Sequence, residues 1–83
     1  MLNIESVITE AREHEAMLGC ASYSWFQFFE DLADHLLGTY DVDMDEFKYF
    51  VGKNTAFFKV CGESVMFEKV SDWYGVTKGF EIR

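Results

Sequence analysis

Apolar positions recur at helical spacing through the first forty residues and switch to alternation beyond Asn54. Ile4, Val7, Ile8, Ala11 and Leu18 fall on one stripe, which predicts a first helix capped by Asn3 and ended by Gly19. A second helix is predicted from Ser22 or Ser24 to Gly38. Trp25, Phe26, Phe28, Phe29, Leu32, Ala33, Leu36 and Leu37 cover half of its circumference, so it packs on more than one neighbour. A third, short helix is predicted near residues 43–51. Asp43 and Glu46 there form a capping box, and Val42 and Phe47 a hydrophobic staple.

Beyond Asn54, a two-residue turn at Gly62-Glu63 would pair Val60 with Val65 and Phe58 with Phe67 on one face. Val76 to Ile82 adds a third strand, with Phe80 and Ile82 facing the core. The expected fold is α+β: three N-terminal helices followed by a small antiparallel β-sheet. That order resembles the layout of winged-helix DNA binders, in the sequence of elements alone. Its third helix would offer Asp45 and Glu46 with a single Lys48, a poor set for reading base edges.

Eighty-three residues form one domain, 1–83, with an acidic helical part (1–52) and a β part (55–83). Nine Phe, four Tyr and two Trp are enough large rings to build a core in so short a chain. The opening residues include Asn3, Glu5 and Glu10 in place of a basic stretch and an apolar run, and no apolar run approaches a bilayer's thickness. Cys20 and Cys61 lack a CxxC spacing. Together these point to the cytoplasm, with reduced thiols.

Charge changes the picture most. Fifteen acids against seven bases give −8. Residues 1–46 hold eleven acids and only Arg12 (−10), while residues 47–83 hold four acids and six bases (+2). An anionic body of this kind repels nucleic acid and anionic membrane and attracts a basic partner.

Several chemical readings fail on residue grounds. Asp41, Asp43 and Asp45 open like a calcium loop, but Glu46 and Gly52 stand where Gly and Glu are needed. Asp31 and His35, one helical turn apart, make an ion pair rather than a ligand set. Cys20 with His14 or His35 is a chance nucleophile–base pattern. Glu15 sits in the first helix's apolar stripe, so either the helix bends after His14 or Glu15 is part-buried and paired. No phosphate loop or hydrolase motif occurs, and no cofactor or metal is expected.

The reading is a non-enzymatic binding module, an inhibitor or regulator occupying a basic, nucleic-acid-binding surface of a partner protein. In size and charge the chain is similar to DNA-mimicking anti-restriction and anti-CRISPR proteins of phages. Contacts are expected from Glu30, Asp31, Asp34, Asp41, Asp43 and Asp45, anchored by exposed Tyr40, Tyr49, Trp73 and Tyr74. The alternatives are a structural homo-oligomer, such as a homodimer, and an immunity protein or antitoxin.

Overall fold

The computed structural model describes residues 2–19 and 24–83. The Asn3 side chain accepts the Ser6 N–H at 2.8 Å and opens helix α1, Ile4–His14. At Glu15 the chain tightens into a 3₁₀ segment, Glu15–Gly19. The Ser24 hydroxyl caps helix α2, Trp25–Thr39, by accepting the Gln27 N–H at 3.0 Å. This N-cap falls on the second of the two serines expected to start it; Ser22, like Cys20, lies outside the described residues.

Four strands follow: β1 Phe47–Val51, β2 Thr55–Val60, β3 Glu63–Ser71 and β4 Thr77–Ile82. They form an antiparallel meander in the order β1-β2-β3-β4. Both helices cover one face. Val7 and Ala11 of α1 and six residues of α2 meet Phe47, Ala56, Phe58, Val60, Val65, Phe67 and Phe80 of the sheet in one core.

The expected three-helix layout is therefore corrected: the fold is α+β with two helices and a four-stranded sheet. The expected third helix is a turn followed by β1. Asp43 does act as a cap, but of a turn: its carboxylate accepts the Asp45 N–H at 3.0 Å and its carbonyl the Glu46 N–H at 2.8 Å. Four of the next five residues, Phe47, Tyr49, Phe50 and Val51, are aromatic or β-branched, and burial alternates along them. A cap is worth about 1 kcal/mol. Burying Phe47 alone is worth about 1.5–3 kcal/mol, and β2 adds a hydrogen-bonded ladder. Pairing wins. The winged-helix layout goes with the third helix, and the sheet begins at residue 47, inside the part expected to be helical.

The β2–β3 hairpin also closes earlier than expected. Phe58 pairs with Val65 and Val60 with Glu63, a slip of two residues from the Val60–Val65 pairing. The turn is Cys61-Gly62, both with positive φ (52° and 84°), as a type I′ turn requires. Because the slip is two and side chains alternate, Phe58, Val60, Val65 and Phe67 still face inward. Strand β4 matches the expected third strand and buries Phe80, while Ile82 packs at the core's margin.

Cys61 pays the steric cost of a left-handed backbone at an exposed position. Cys61→Asn should therefore raise stability by about 0.5–1 kcal/mol, read as a higher urea midpoint at unchanged m-value. An unchanged or lower midpoint would contradict the turn.

Candidate functional site

The acidic residues divide into those tied down by the fold and those left facing water. Glu10 is the most engaged. Its carboxylate meets His35 Nε2 at 3.0 Å and accepts the Tyr40 hydroxyl at 3.2 Å, fastening α1 to the end of α2. His14 packs against His35, ring centroids 5.6 Å apart, and its Nδ1 lies 2.8 Å from the Glu10 carbonyl, so that nitrogen is the donor. His35 thus pairs with Glu10, while Asp31 accepts from the Gln27 side chain at 2.8 Å.

Glu30 is likewise engaged. It accepts the Tyr49 hydroxyl at 2.7 Å, joining α2 to β1. That hydrogen bond, then burial, then the Glu30 and Asp34 charges push the Tyr49 phenol from 10.0 up to about 12. Burial, followed by the Glu10 hydrogen bond, raises the Tyr40 phenol as well. Tyr40 and Tyr49 are therefore not the exposed anchors expected of them; both are half-buried against the core.

Glu15 resolves its odd position in both of the expected ways: the α-helix ends before it, and it is part-buried and paired. Arg12 Nη1 donates to it at 2.9 Å, and its Oε2 accepts the Phe80 N–H at 3.2 Å. Arg12 in turn donates to the Phe80 carbonyl at 3.3 Å and lies over the Phe80 ring, 4.6 Å from its centroid. Phe80 sits on β4 where its N–H and C=O point away from β3, as the Met66–Arg83 hydrogen bonds show. The Arg12–Glu15 pair thus takes the place of a neighbouring strand at this sheet edge. Gly79 makes room for it, since a Cβ there would collide with the Glu15 carboxylate.

Among the carboxylates that remain exposed are those on α2 and the loop after it. Asp31 and Asp34 sit on the helix, and Asp41, Asp43, Asp45 and Glu46 line the connection to β1. Of these, Asp34, Asp41, Asp45 and Glu46 make no side-chain hydrogen bond or ion pair among the described residues. That connection runs toward the end of the sheet that carries the Cys61-Gly62 turn, where the Cys61 N–H donates to the Glu46 carbonyl at 3.0 Å.

Trp73 and Tyr74 are elsewhere. They are 94% and 87% exposed on the β3–β4 connection. The Asp72 carboxylate fixes that loop by accepting the Tyr74 and Val76 N–H groups, each at 2.9 Å. Those bonds, Val76's first, hold the Asp72 carboxyl below its ordinary range, with Lys78 adding to them. This tip lies at the Asn54 end of the sheet, because the Lys69 N–H donates to the Asn54 carbonyl. Nine-residue β3 separates it from the Asp41–Glu46 loop, about 30 Å of strand. Asp31 and Asp34 are exposed on α2 and Asp41, Asp43 and Asp45 on the connection to β1, whereas Trp73 and Tyr74 lie at the other end of the sheet from that connection.

A cavity of about 170 Å³ lies between the 3₁₀ segment and α2, lined by His14, Met17, Phe28, Asp31, Leu32 and His35. It is smaller than the roughly 300–1,000 Å³ of small-molecule sites. The reading of Cys20 as a nucleophile beside these histidines lies outside the described residues. Among the described residues no group of three or more His, Cys, Asp or Glu is placed to hold a metal ion, and no helix is long and apolar enough to cross a membrane.

No family model, curated protein or solved structure matches the chain.

Sequence reasoning missed Glu10 as a tie between helices and the Arg12–Glu15–Phe80 contact. Gly79, a glycine within an otherwise extended run, was the available signal of a close approach.

Two measurements test these ties. Gly79→Ala should cost about 1–2 kcal/mol, whereas in a Glu15→Ala background the same change should cost under about 0.5 kcal/mol, a coupling read by a double-mutant cycle. Because the Tyr49 phenol is held neutral by the fold, its contribution is complete below pH 10 and is lost as pH rises toward about 12. Denaturation midpoints should fall over that interval more steeply in the native chain than in Tyr49→Phe; equal slopes would exclude the Glu30 hydrogen bond.

Proposed function

We propose that this chain is a non-catalytic binding module that carries an acidic band to a basic, nucleic-acid-binding surface of a partner protein in the cytoplasm, as an inhibitor or regulator. The observation that supports it is the separation of the carboxylates. Glu10, Glu15 and Glu30 are consumed within the fold, whereas Asp31 and Asp34 on α2 and Asp41, Asp43 and Asp45 on the connection that follows it are exposed. Carboxylates held on a helix and on the short loop that follows it keep their spacing, so little ordering is needed on binding. Charge at that spacing pairs with the lysines and arginines that would otherwise contact phosphates.

Glu30, Tyr40 and Tyr49 drop out of the contact set because the fold already engages them. Trp73 and Tyr74 stand too far from the band to share a compact footprint with it. The contacts under this proposal are Asp31, Asp34, Asp41, Asp43 and Asp45.

A low-salt pull-down from host lysate should recover a basic protein. Its capture should fall at least tenfold between ~0.05 M and ~0.5 M salt, and should be lost when Asp31, Asp34, Asp41 and Asp43 are all changed to Asn. Capture that survives both changes would sink the acidic-band assignment.

A further inference from the structure

The two edges of the sheet are treated differently. At β4 the Arg12–Glu15 pair occupies the outward N–H and C=O of Phe80. At β1 nothing comparable is present among the described residues. The Gly52–Thr55 and Cys61–Glu46 hydrogen bonds set the alternation along the β1–β2 ladder, so the N–H and C=O groups of Phe47, Tyr49 and Val51 point away from β2. No hydrogen bond from the described residues reaches them. Beside this open edge Phe50 is 68% exposed on the face of the sheet opposite the helices.

We propose that β1 pairs antiparallel with β1 of a second copy of this chain, forming a two-fold dimer with a continuous eight-stranded sheet. Among registers that use only the outward-pointing groups, the one centred on Tyr49 pairs the most residues: Phe47 with Val51 of the second copy, Tyr49 with Tyr49, and Val51 with Phe47. Each such pair exchanges both main-chain hydrogen bonds. The same register sets Lys48 beside Phe50 of the second copy on the solvent face, where an ammonium and an exposed ring attract. It also brings Lys53, in the β1–β2 turn, to the acidic turn around Asp45 of the second copy. Both residues are exposed and lie at opposite ends of β1, so within one chain they do not meet. The contact is self-complementary, as a two-fold interface must be. The charge of −8 on each copy opposes association and keeps it weak. The dimer does not depend on the acidic-band proposal, since β1's edge and that band use different groups apart from Asp45.

Sedimentation equilibrium of the full chain, with amide hydrogen exchange at low and high concentration, tests this. A monomer–dimer equilibrium is expected between about 1 µM and 1 mM, with exchange at Phe47, Tyr49 and Val51 slowing at least threefold as dimer forms. Lys53→Glu should weaken the dimer about tenfold through two like-charge contacts, and adding Asp45→Lys should restore it to within about threefold. A chain that stays monomeric to about 1 mM overturns the proposal. So does a dimer that leaves those three amides unprotected, or one that Lys53→Glu weakens without rescue by Asp45→Lys.

Discussion

Phe29 is the contact on which the rest of this structure depends. Its ring is fully buried and lies within 6.1 Å, centroid to centroid, of Phe58 on β2, Phe67 on β3 and Phe80 on β4. Trp25 and Phe28 of its own helix meet it edge-on at 4.6 and 4.8 Å. One side chain thus joins the helical layer to three of the four strands. A chain of 83 residues has little interior to spare, and a cluster of interlocking rings fills it with few side chains and little rotamer entropy. The other ties are arranged around this centre. Tyr49 with Glu30 reaches β1, and Arg12 with Glu15 reaches the outer side of β4.

How much of this was legible depends on whether the deciding force was local. Asn3 and Ser24 cap their helices as expected, because an N-cap acts within three residues. The inward set of β2 and β3 was legible too, since alternation fixes the face whatever the register. The register itself was not. It depended on whether Cys61 would accept a left-handed backbone, and composition favours placing both turn positions on Gly62 and its successor. Strand β1 was misread for the opposite reason. Its local signal, an acidic turn before an aromatic, is shared by helix starts, and the outcome was decided by pairing with the next strand, from Val51 with Ala56 out to Phe47 with Val60. Among the site residues, the exposed aspartates could be read from the polar side of α2 and the Asp41–Glu46 run. That Glu30, Tyr40 and Tyr49 would be consumed in long-range hydrogen bonds could not.

The charge asymmetry takes on a different meaning with the strands in place. The −10 segment is not simply a helical half; it is two helices and an acidic turn that leads directly into the open edge of the sheet. The carboxylates nearest the core, Glu10, Glu15 and Glu30, each accept from a side chain or main-chain group on another element, so they act as tethers whose partners lie 25, 65 and 19 residues away. Those are the connections a small core needs most, because each joins elements distant in sequence. Asp34, Asp41 and Asp45 make no such bond among the described residues. Their exposure leaves the domain with a surface field that the fold itself does not use.

Edge protection follows the same economy. Strand β4 ends the chain, and its outward groups are met by a segment that had to pass there anyway, the 3₁₀ extension of α1. The glycine at position 79 is what lets that segment come close enough to act as a strand. Among the described residues strand β1 has no such neighbour: α2, after meeting Tyr49 through Glu30, runs on to Thr39, and the chain returns through the acidic turn at the strand's start. In the proposed dimer a second copy supplies a strand at that edge, and its Lys53 meets the same acidic turn that the first copy leaves facing water.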